Sequence, residues 1–423
     1  MRKTPILLLC FVFIYSCSQQ ENNEPFRLSA PEELGFTNEF ERDLDLFFDE
    51  QISDNKIAGA VALIARDGQI ALEKAWGWQD MEDERVMETH HLFRLASMTK
   101  SVTSVAILQL YEKGMLEFDD PVETFIPEFA NPVVLNGYDA ETGEYETRPA
   151  SGSITLHHLL THSSGIAYDF THRELSAIYQ REEIPAIVAE PGITLEEVMA
   201  RLGRLPLAHD PGAAYTYGLS TDVLGRVVEV VSGLSLAEYF DQYIFEPLAM
   251  NNTGFYLPGR ESDLTTLYSI QNGEFIRFTE ESGTLNANFP VQDDLTYYAG
   301  GAGLTSTARD YFIFMQALLN GGEWNGIRII ENNTLEFMKT DQIGDLWNPN
   351  KFSYGLMLTT PEGAQEGLRP AGSLGWGGAF QTTYWIDPAN EMVVVMMAQV
   401  IPSPYRDEFY NEFEKIVYRS LVN

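Results

Sequence analysis

Two apolar runs near opposite ends of the chain limit its folding more than any other feature. The first, Ala58-Gly59-Ala60-Val61-Ala62-Leu63-Ile64-Ala65, carries no polar side chain and reads as a buried strand. The turn Arg66-Asp67-Gly68-Gln69 follows it, and residues 70–76 read as the return strand, because Asp-Gly between two such runs is a strong hairpin signal. At the other end, residues 380–386 form one strand, Asp387-Pro388-Ala389-Asn390 a turn, and residues 392–399 a second strand. That last strand is apolar over nearly its whole length, so it must be buried on both faces. A helix over residues 37–51 precedes the first hairpin, with Phe40, Leu44, Phe47 and Phe48 at helical spacing and Thr37 as its N-cap. Another helix, over about residues 404–421, closes the chain. Consecutive hairpins with such flanks predict an α/β (α+β) fold, an antiparallel sheet with helices on its faces.

The middle of the chain has a different texture. From Asp119 to Asn286, long polar and Pro/Gly-rich loops separate helical patterns such as 195–202 and 223–231. Thr194 and Glu197 have the spacing of a capping box for the first of these. The expected organisation is one α/β lobe from residues 28–118 and 290–423, and one mostly helical lobe from residues 119–289. A cleft between lobes is a common place for a site.

The beginning of the chain reads as an export signal. Arg2 and Lys3 precede an apolar run from Pro5 to Tyr15 that is too short to span a bilayer but suits the core of a signal peptide. The run ends in Ile14-Tyr15-Ser16-Cys17, which resembles the lipobox of bacterial lipoproteins. That resemblance implies a signal over residues 1–16, a lipid on Cys17, a polar tether over residues 17–27, and anchorage in the bacterial cell envelope. The alternative is an ordinary signal peptide with an incidental cysteine. Removal of residues 1–16 also removes Cys10, which leaves no second cysteine for a disulfide. The formal net charge is −35, and loss of the two positive residues of the signal takes it to −37. Such a surface repels phosphate backbones, so nucleic acid is not an expected partner, and membrane contact is expected through the lipid alone.

Ser97 and Lys100 lie three residues apart, which on a helix puts both on one face. Val102, Val105, Ala106, Ile107, Leu108 and Leu110 make the following helix apolar on most sides, hence buried, and Gly114 is its stop. The first turn of a buried helix favours developing negative charge through its free N–H groups and dipole. A buried ammonium is poorly solvated, which favours the neutral amine and suits a lysine to act as the base that a serine nucleophile needs. The spacing alone is weak, because Ser53 and Lys56 share it in what reads as a solvated loop, and Ser97 would also serve as a plain N-cap.

Four motifs in order add weight. Phe93 to Lys100, residues 154–165 (Ile-Thr-Leu-His-His-Leu-Leu-Thr-His-Ser-Ser-Gly), residues 211–217 (Pro-Gly-Ala-Ala-Tyr-Thr-Tyr) followed by Leu224-Gly225, and Trp376-Gly377-Gly378-Ala379 followed by Tyr384 to Pro388 resemble the motifs of class C β-lactamases, D-alanyl-D-alanine carboxypeptidases and related esterases. The resemblance implies Ser97 as nucleophile, Lys100 and Tyr217 as its proton partners, and the backbone N–H groups of Ser97 and Ala379 as an oxyanion hole. Tyr215 is the competing second residue, with the Pro-Gly spacing favouring Tyr217. Trp376, Gly377, Gly378 and Leu219 become the expected substrate contacts.

Two departures matter. Where the β-lactamases carry a lysine this chain has Trp376, and where they carry an asparagine two residues after the tyrosine it has Leu219. Both make the pocket more apolar, and the esterases this chain resembles tolerate such replacements, which points toward a small-molecule ester ahead of a β-lactam or D-amino-acid peptide; a carboxylate anchor could still come from Arg94 or another basic side chain. A third reading is a non-catalytic acyl- or peptidoglycan-binding lipoprotein. His162 is expected as a hydrogen-bonded structural residue, and His157 and His158 have no partners at metal-ligand spacing, so neither metal nor other cofactor is expected. Gly300 to Gly303 is not followed by a phosphate-loop Lys-Ser/Thr and is expected to pack backbone at the rim of the site.

Overall fold

A computed structural model describes residues 27–422 except 186, 188–191, 280–288, 292–294 and 366–367. Residues 1–26, including Cys17 and the expected signal, lie outside the described residues. The core is an eight-stranded sheet made from both ends of the chain. Its strands are β1 (Gly59–Arg66), β2 (Gln69–Asp80), β3 (Arg85–Val86), β4 (Lys351–Phe352), β5 (Met357–Leu358), β6 (Leu374–Gly378), β7 (Thr382–Asp387) and β8 (Met392–Met397), in the spatial order β4-β5-β6-β7-β8-β1-β2-β3. Every neighbouring pair is antiparallel. The closure is β1 against β8, running from Val61 opposite Met397 to Arg66 opposite Met392.

The alternation of side chains across a strand explains why both runs are apolar throughout. Ala60, Ala62 and Ile64 of β1, with Met392, Val394 and Met396 of β8, face one core. There they meet helices α1 (Phe40–Ser53) and, at the far end of the chain, Arg406–Arg419 through Phe40, Leu44, Phe48, Phe409 and Phe413. Val61, Leu63, Ala65, Val393, Val395 and Met397 face the other core, together with α2 (Thr99–Glu112) and the helix Ala308–Leu319. With a layer on each face, neither side of these strands tolerates a polar residue.

The local signals act as expected at most points. Asp67 and Gly68 both have positive φ, 54° and 70°, the geometry of a tight hairpin turn that matches strand twist. Thr194 and Glu197 close a reciprocal capping box on the helix Leu195–Leu202, with Glu197 N–H donating to Thr194 Oγ1 at 3.2 Å and Thr194 N–H to Glu197 Oε2 at 2.9 Å. Thr37 is a correction: α1 begins after Glu39, and Thr37 contributes its carbonyl to the N–H of Phe40 at 3.1 Å instead of a side-chain cap. The strand expected from residue 380 starts at Thr382, because Gln381 takes φ 65° in a turn. The stretch 119–289 also contains two hairpins, Val133–Tyr138 with Tyr145–Pro149 and Tyr268–Gln271 with Glu274–Arg277, beside its helices.

Helix α2 is buried at every position from Thr99 to Leu110, because it is held between the sheet and the helix Ser220–Ser232. No helix among the described residues is long and apolar enough to cross a membrane. Trp385 of β7 is 1% exposed, and its Nε1 donates to Tyr418 Oη at 3.1 Å, tying the sheet to the closing helix. Trp385→Ala is expected to lower the unfolding free energy by about 3–5 kcal/mol, as large-to-small core changes do; urea unfolding of both proteins measures it.

Candidate active site

The segment leading into α2 is held from both sides. Phe93–Arg94 pairs with Thr305–Ser306, and the Leu95 N–H donates to the Leu304 carbonyl at 2.9 Å. Ala96 then takes φ +46°, a left-handed conformation that costs a non-glycine residue about 1 kcal/mol or more. A short 3-10 turn, Ala96–Met98, follows and runs directly into α2. Ser97 sits on that turn and Lys100 one step into the helix, so the expected shared face is present with Ser97 just ahead of the helix proper.

Three side chains converge on the Ser97 hydroxyl region. Tyr217 Oη donates to Ser97 Oγ at 2.7 Å, and Lys100 Nζ donates to it at 3.3 Å. Trp376 of β6 donates from Nε1 to Tyr217 Oη at 3.3 Å. Lys100 is 1% exposed and also donates to Tyr168 Oη at 2.9 Å and to the Gly301 carbonyl at 2.7 Å. The hydroxyl that meets Ser97 is that of Tyr217, whereas the Tyr215 ring stacks on Trp347.

Strand β6 approaches the Ser97 turn so closely that a Cβ on Gly378 would collide with the Leu95 carbonyl oxygen and Thr382 Oγ1. That close approach puts Ala379, the next residue, on a cleft that Ser97 also lines. The cleft holds about 380 Å³ and is otherwise walled by Ala96, Tyr168, Phe170, Ile187, Ala302, Ile401, Pro402, Ser403 and Arg406. Gly377 pairs with Thr383 in the sheet.

Leu219 is placed differently from the reading as a substrate contact: it is 2% exposed, belongs to the core and does not line the cleft. Arg94 is likewise no anchor for a substrate carboxylate. It is 4% exposed and donates to the carbonyls of Phe289 at 2.8 Å and Thr265 at 3.1 Å.

His162 is structural through its backbone. It takes φ 54°, and its carbonyl accepts the Thr216 N–H at 2.8 Å, which fixes the approach to Tyr217. Its buried Nδ1 has no hydrogen-bond partner, and its ring packs on that of Tyr217 at 4.8 Å. Burial, and then the charge of Lys100, push the imidazole well below its usual range, so it stays neutral. Among the described residues no group of three His, Cys, Asp or Glu side chains is arranged to hold a metal ion.

Tyr168 and Asp222 are site residues that the sequence did not single out. Asp222 is 1% exposed and accepts the Gly301 N–H at 3.2 Å, so Gly301 joins Asp222 to Lys100 through its two backbone groups. The Gly300 to Gly303 run is therefore a backbone brace beside Lys100, with Ala302 on the cleft wall that Ser97 shares. Burial raises the Asp222 carboxyl to about 6, while the Lys100 charge, the Gly301 N–H and the Tyr297 hydroxyl limit the rise. Burial, then the Asp222 charge, push the Tyr168 phenol well above its usual range, so it remains a neutral hydroxyl.

A serine hydroxyl engaged by a buried lysine three residues on and by a tyrosine from another segment, at the edge of an antiparallel sheet, defines a serine hydrolase of the Ser-x-x-Lys type. The chain belongs to the beta-lactamase family, whose description "Beta-lactamase" matches residues 44–415. It is 30% identical over 371 residues to "Esterase EstB" of Burkholderia gladioli, covering 84% of this chain and 89% of that one. It is 28% identical to a "Putative D-alanyl-D-alanine carboxypeptidase" of Escherichia coli K12 over 96% of this chain and 93% of the other. The solved structure of "EstCE1, a hydrolase with promiscuous acyltransferase activity" superposes with a TM-score of 0.76 at 25% identity, over 90% of this chain and 98% of that one.

The raised Asp222 carboxyl makes stability depend on pH in a stated direction. Folded, the group holds its proton up to about pH 6; unfolded, it releases it in the ordinary carboxylate range, so the folded state is favoured at low pH. That advantage, on the order of 3 kcal/mol, is present below about pH 4 and lost as pH rises through 6. Asp222→Asn lacks this dependence. Urea unfolding at several pH values is expected to show the variant gaining on the wild type by roughly that amount between pH 4 and 7; a difference that stays flat contradicts the assignment.

Proposed function

We propose that this serine hydrolase acts on carboxylic esters through an acyl-enzyme on Ser97. One observation carries the preference: the group that β6 presents to the catalytic tyrosine is the Trp376 indole, 3.3 Å from Tyr217 Oη, and not a cation that would draw in a substrate carboxylate. The walls contributed by Phe170, Ile187, Ile401 and Pro402 are apolar, and Arg406, the cation on the cleft wall, is paired with Asp407 at 3.4 Å; both agree with a neutral substrate, as do the esterase and hydrolase names of two similar proteins.

In the proposed reaction Lys100, helped by Tyr217, takes the Ser97 proton as Oγ adds to the ester carbonyl carbon. The carbonyl oxygen gains the negative charge and is met by the N–H groups of Ser97 and Ala379. Collapse breaks the carbon–oxygen bond to the alcohol, which leaves with the proton passed on by Tyr217. Water then adds to the acyl carbon, giving its proton to the same groups; the acid departs and Ser97 is restored.

A competing reading, cleavage of β-lactams or D-amino-acid peptides, is favoured by the similarity to the putative carboxypeptidase. Short p-nitrophenyl esters, a chromogenic cephalosporin and D-Ala-D-Ala peptides separate the two. Esters are expected to turn over fastest, and Ser97→Ala to lower that turnover by a factor on the order of 10³ or more. Faster cleavage of the cephalosporin or the peptide overturns the ester preference, and ester turnover that survives Ser97→Ala overturns the mechanism.

We also propose export and lipid anchoring at Cys17, supported by the Arg2-Lys3 start, the apolar run and the small residue Ser16 before the cysteine. Expressed in a bacterial host with labelled palmitate, the chain is expected to carry label and fractionate with membranes, and Cys17→Ser to lose both properties.

A further inference from the structure

Near Tyr217, and not among the residues that line the cleft, lie three large aromatic side chains that are only half-buried: Tyr215, Trp347 and Trp376. They rest on Phe352, which is fully buried and whose ring lies 5.7 Å from Tyr215, 6.0 Å from Trp347 and 5.3 Å from Trp376. Tyr215 and Trp347 are stacked at 5.2 Å with only 9° between their planes, so the Trp347 ring is held in place by the Tyr215 ring on one of its faces. Trp376 stands across from this pair, 6.1 Å from Trp347 at 70°. The result is a right-angled aromatic corner with a rigid floor. A flat guest placed in it meets one wall face-on and the other edge-on, the two geometries aromatic rings favour. Partly exposed aromatic side chains gathered in one place, next to a reactive serine, are a common feature of ligand sites.

The position of the corner says which half of a substrate it meets. Tyr217 Oη is 2.7 Å from Ser97 Oγ and 3.3 Å from Trp376 Nε1, so Tyr217 stands between the nucleophile and the corner. Ala379, whose N–H is assigned to the carbonyl oxygen, lines the cleft together with Tyr168, Phe170 and Ile401, none of which belongs to the corner. The acyl chain therefore has the cleft, and the group that leaves past Tyr217 runs onto Trp376, Trp347 and Tyr215. We infer that this corner is the alcohol subsite and that it selects esters of aromatic or otherwise flat alcohols, an inference that rests on the ester reading. It gives Tyr215 a role in specificity and makes Trp376 both a partner of Tyr217 and a wall of the subsite.

Three acetate and naphthoate substrates test it on the soluble protein. For 2-naphthylmethyl acetate, Trp347→Ala is expected to raise KM about tenfold with kcat within about twofold, and Trp347→Phe to restore most of the loss. Ethyl acetate and ethyl 2-naphthoate are expected to be unaffected. An equal effect on all three esters, no effect on any, or an effect confined to ethyl 2-naphthoate overturns the assignment. Binding of 2-naphthylmethanol by titration calorimetry reads the subsite without turnover, with Kd expected to weaken about tenfold in Trp347→Ala. If the wild type binds this alcohol through Trp347 but hydrolyses no ester, the ester reading falls and the subsite stands. If esters turn over and the alcohol ignores Trp347, the subsite falls alone.

Discussion

Strand β1 is covered on both faces, so its backbone groups cannot turn to water and must find partners along both edges. Strand β2 supplies one edge through a tight hairpin, which is a local event. The other edge is supplied by β8, more than three hundred residues later in the chain. That single long-range pairing brings the two ends into one sheet and leaves everything between them to be accommodated on its flanks. It also places β6, two strands beyond β8, against the turn that carries Ser97, so the geometry of the site is inherited from the closure of the sheet.

The second requirement is electrostatic. Lys100 is removed from solvent, and a buried amine must find hydrogen-bond partners inside the protein. Its three partners, Ser97, Tyr168 and the Gly301 carbonyl, come from three separate segments. Asp222 is joined to the lysine through Gly301, while His162, close to the same lysine, is kept neutral. These contacts hold the Lys100 amine beside Ser97 while its surroundings, Tyr168 and His162, are prevented from ionising. The cluster is spread over the chain from Ser97 to Trp376, so its integrity depends on the whole fold.

What was legible in the residues follows from how local each signal is. Hairpin turns, the capping box at Thr194 and the apolar character of α2 are set by neighbours a few positions apart, and each is present. Trp376 and Tyr217 could be named because they belong to short motifs. Asp222 could not. With Arg226 and Glu229 it forms a polar stripe on its helix, the pattern of a solvent face, and only the Gly300–Gly301 segment packed over it shows that its end of the stripe is buried. Leu219 and Arg94 failed as substrate contacts for a related reason: position in a motif does not say which way a side chain turns.

The sequence by itself determined the strands that must be buried, the helix behind Ser97, the order of the motifs and hence the class of chemistry, because apolar periodicity and motif spacing are properties of neighbouring residues. The tertiary structure alone decided that Tyr168 and Asp222 complete the surroundings of Lys100, that Leu219 is buried in the core, and that Tyr215 belongs to an aromatic corner with Trp347 and Trp376. These are contacts between segments far apart in the chain, and they exist only once β1 and β8 have paired and fixed the distance between everything attached to them.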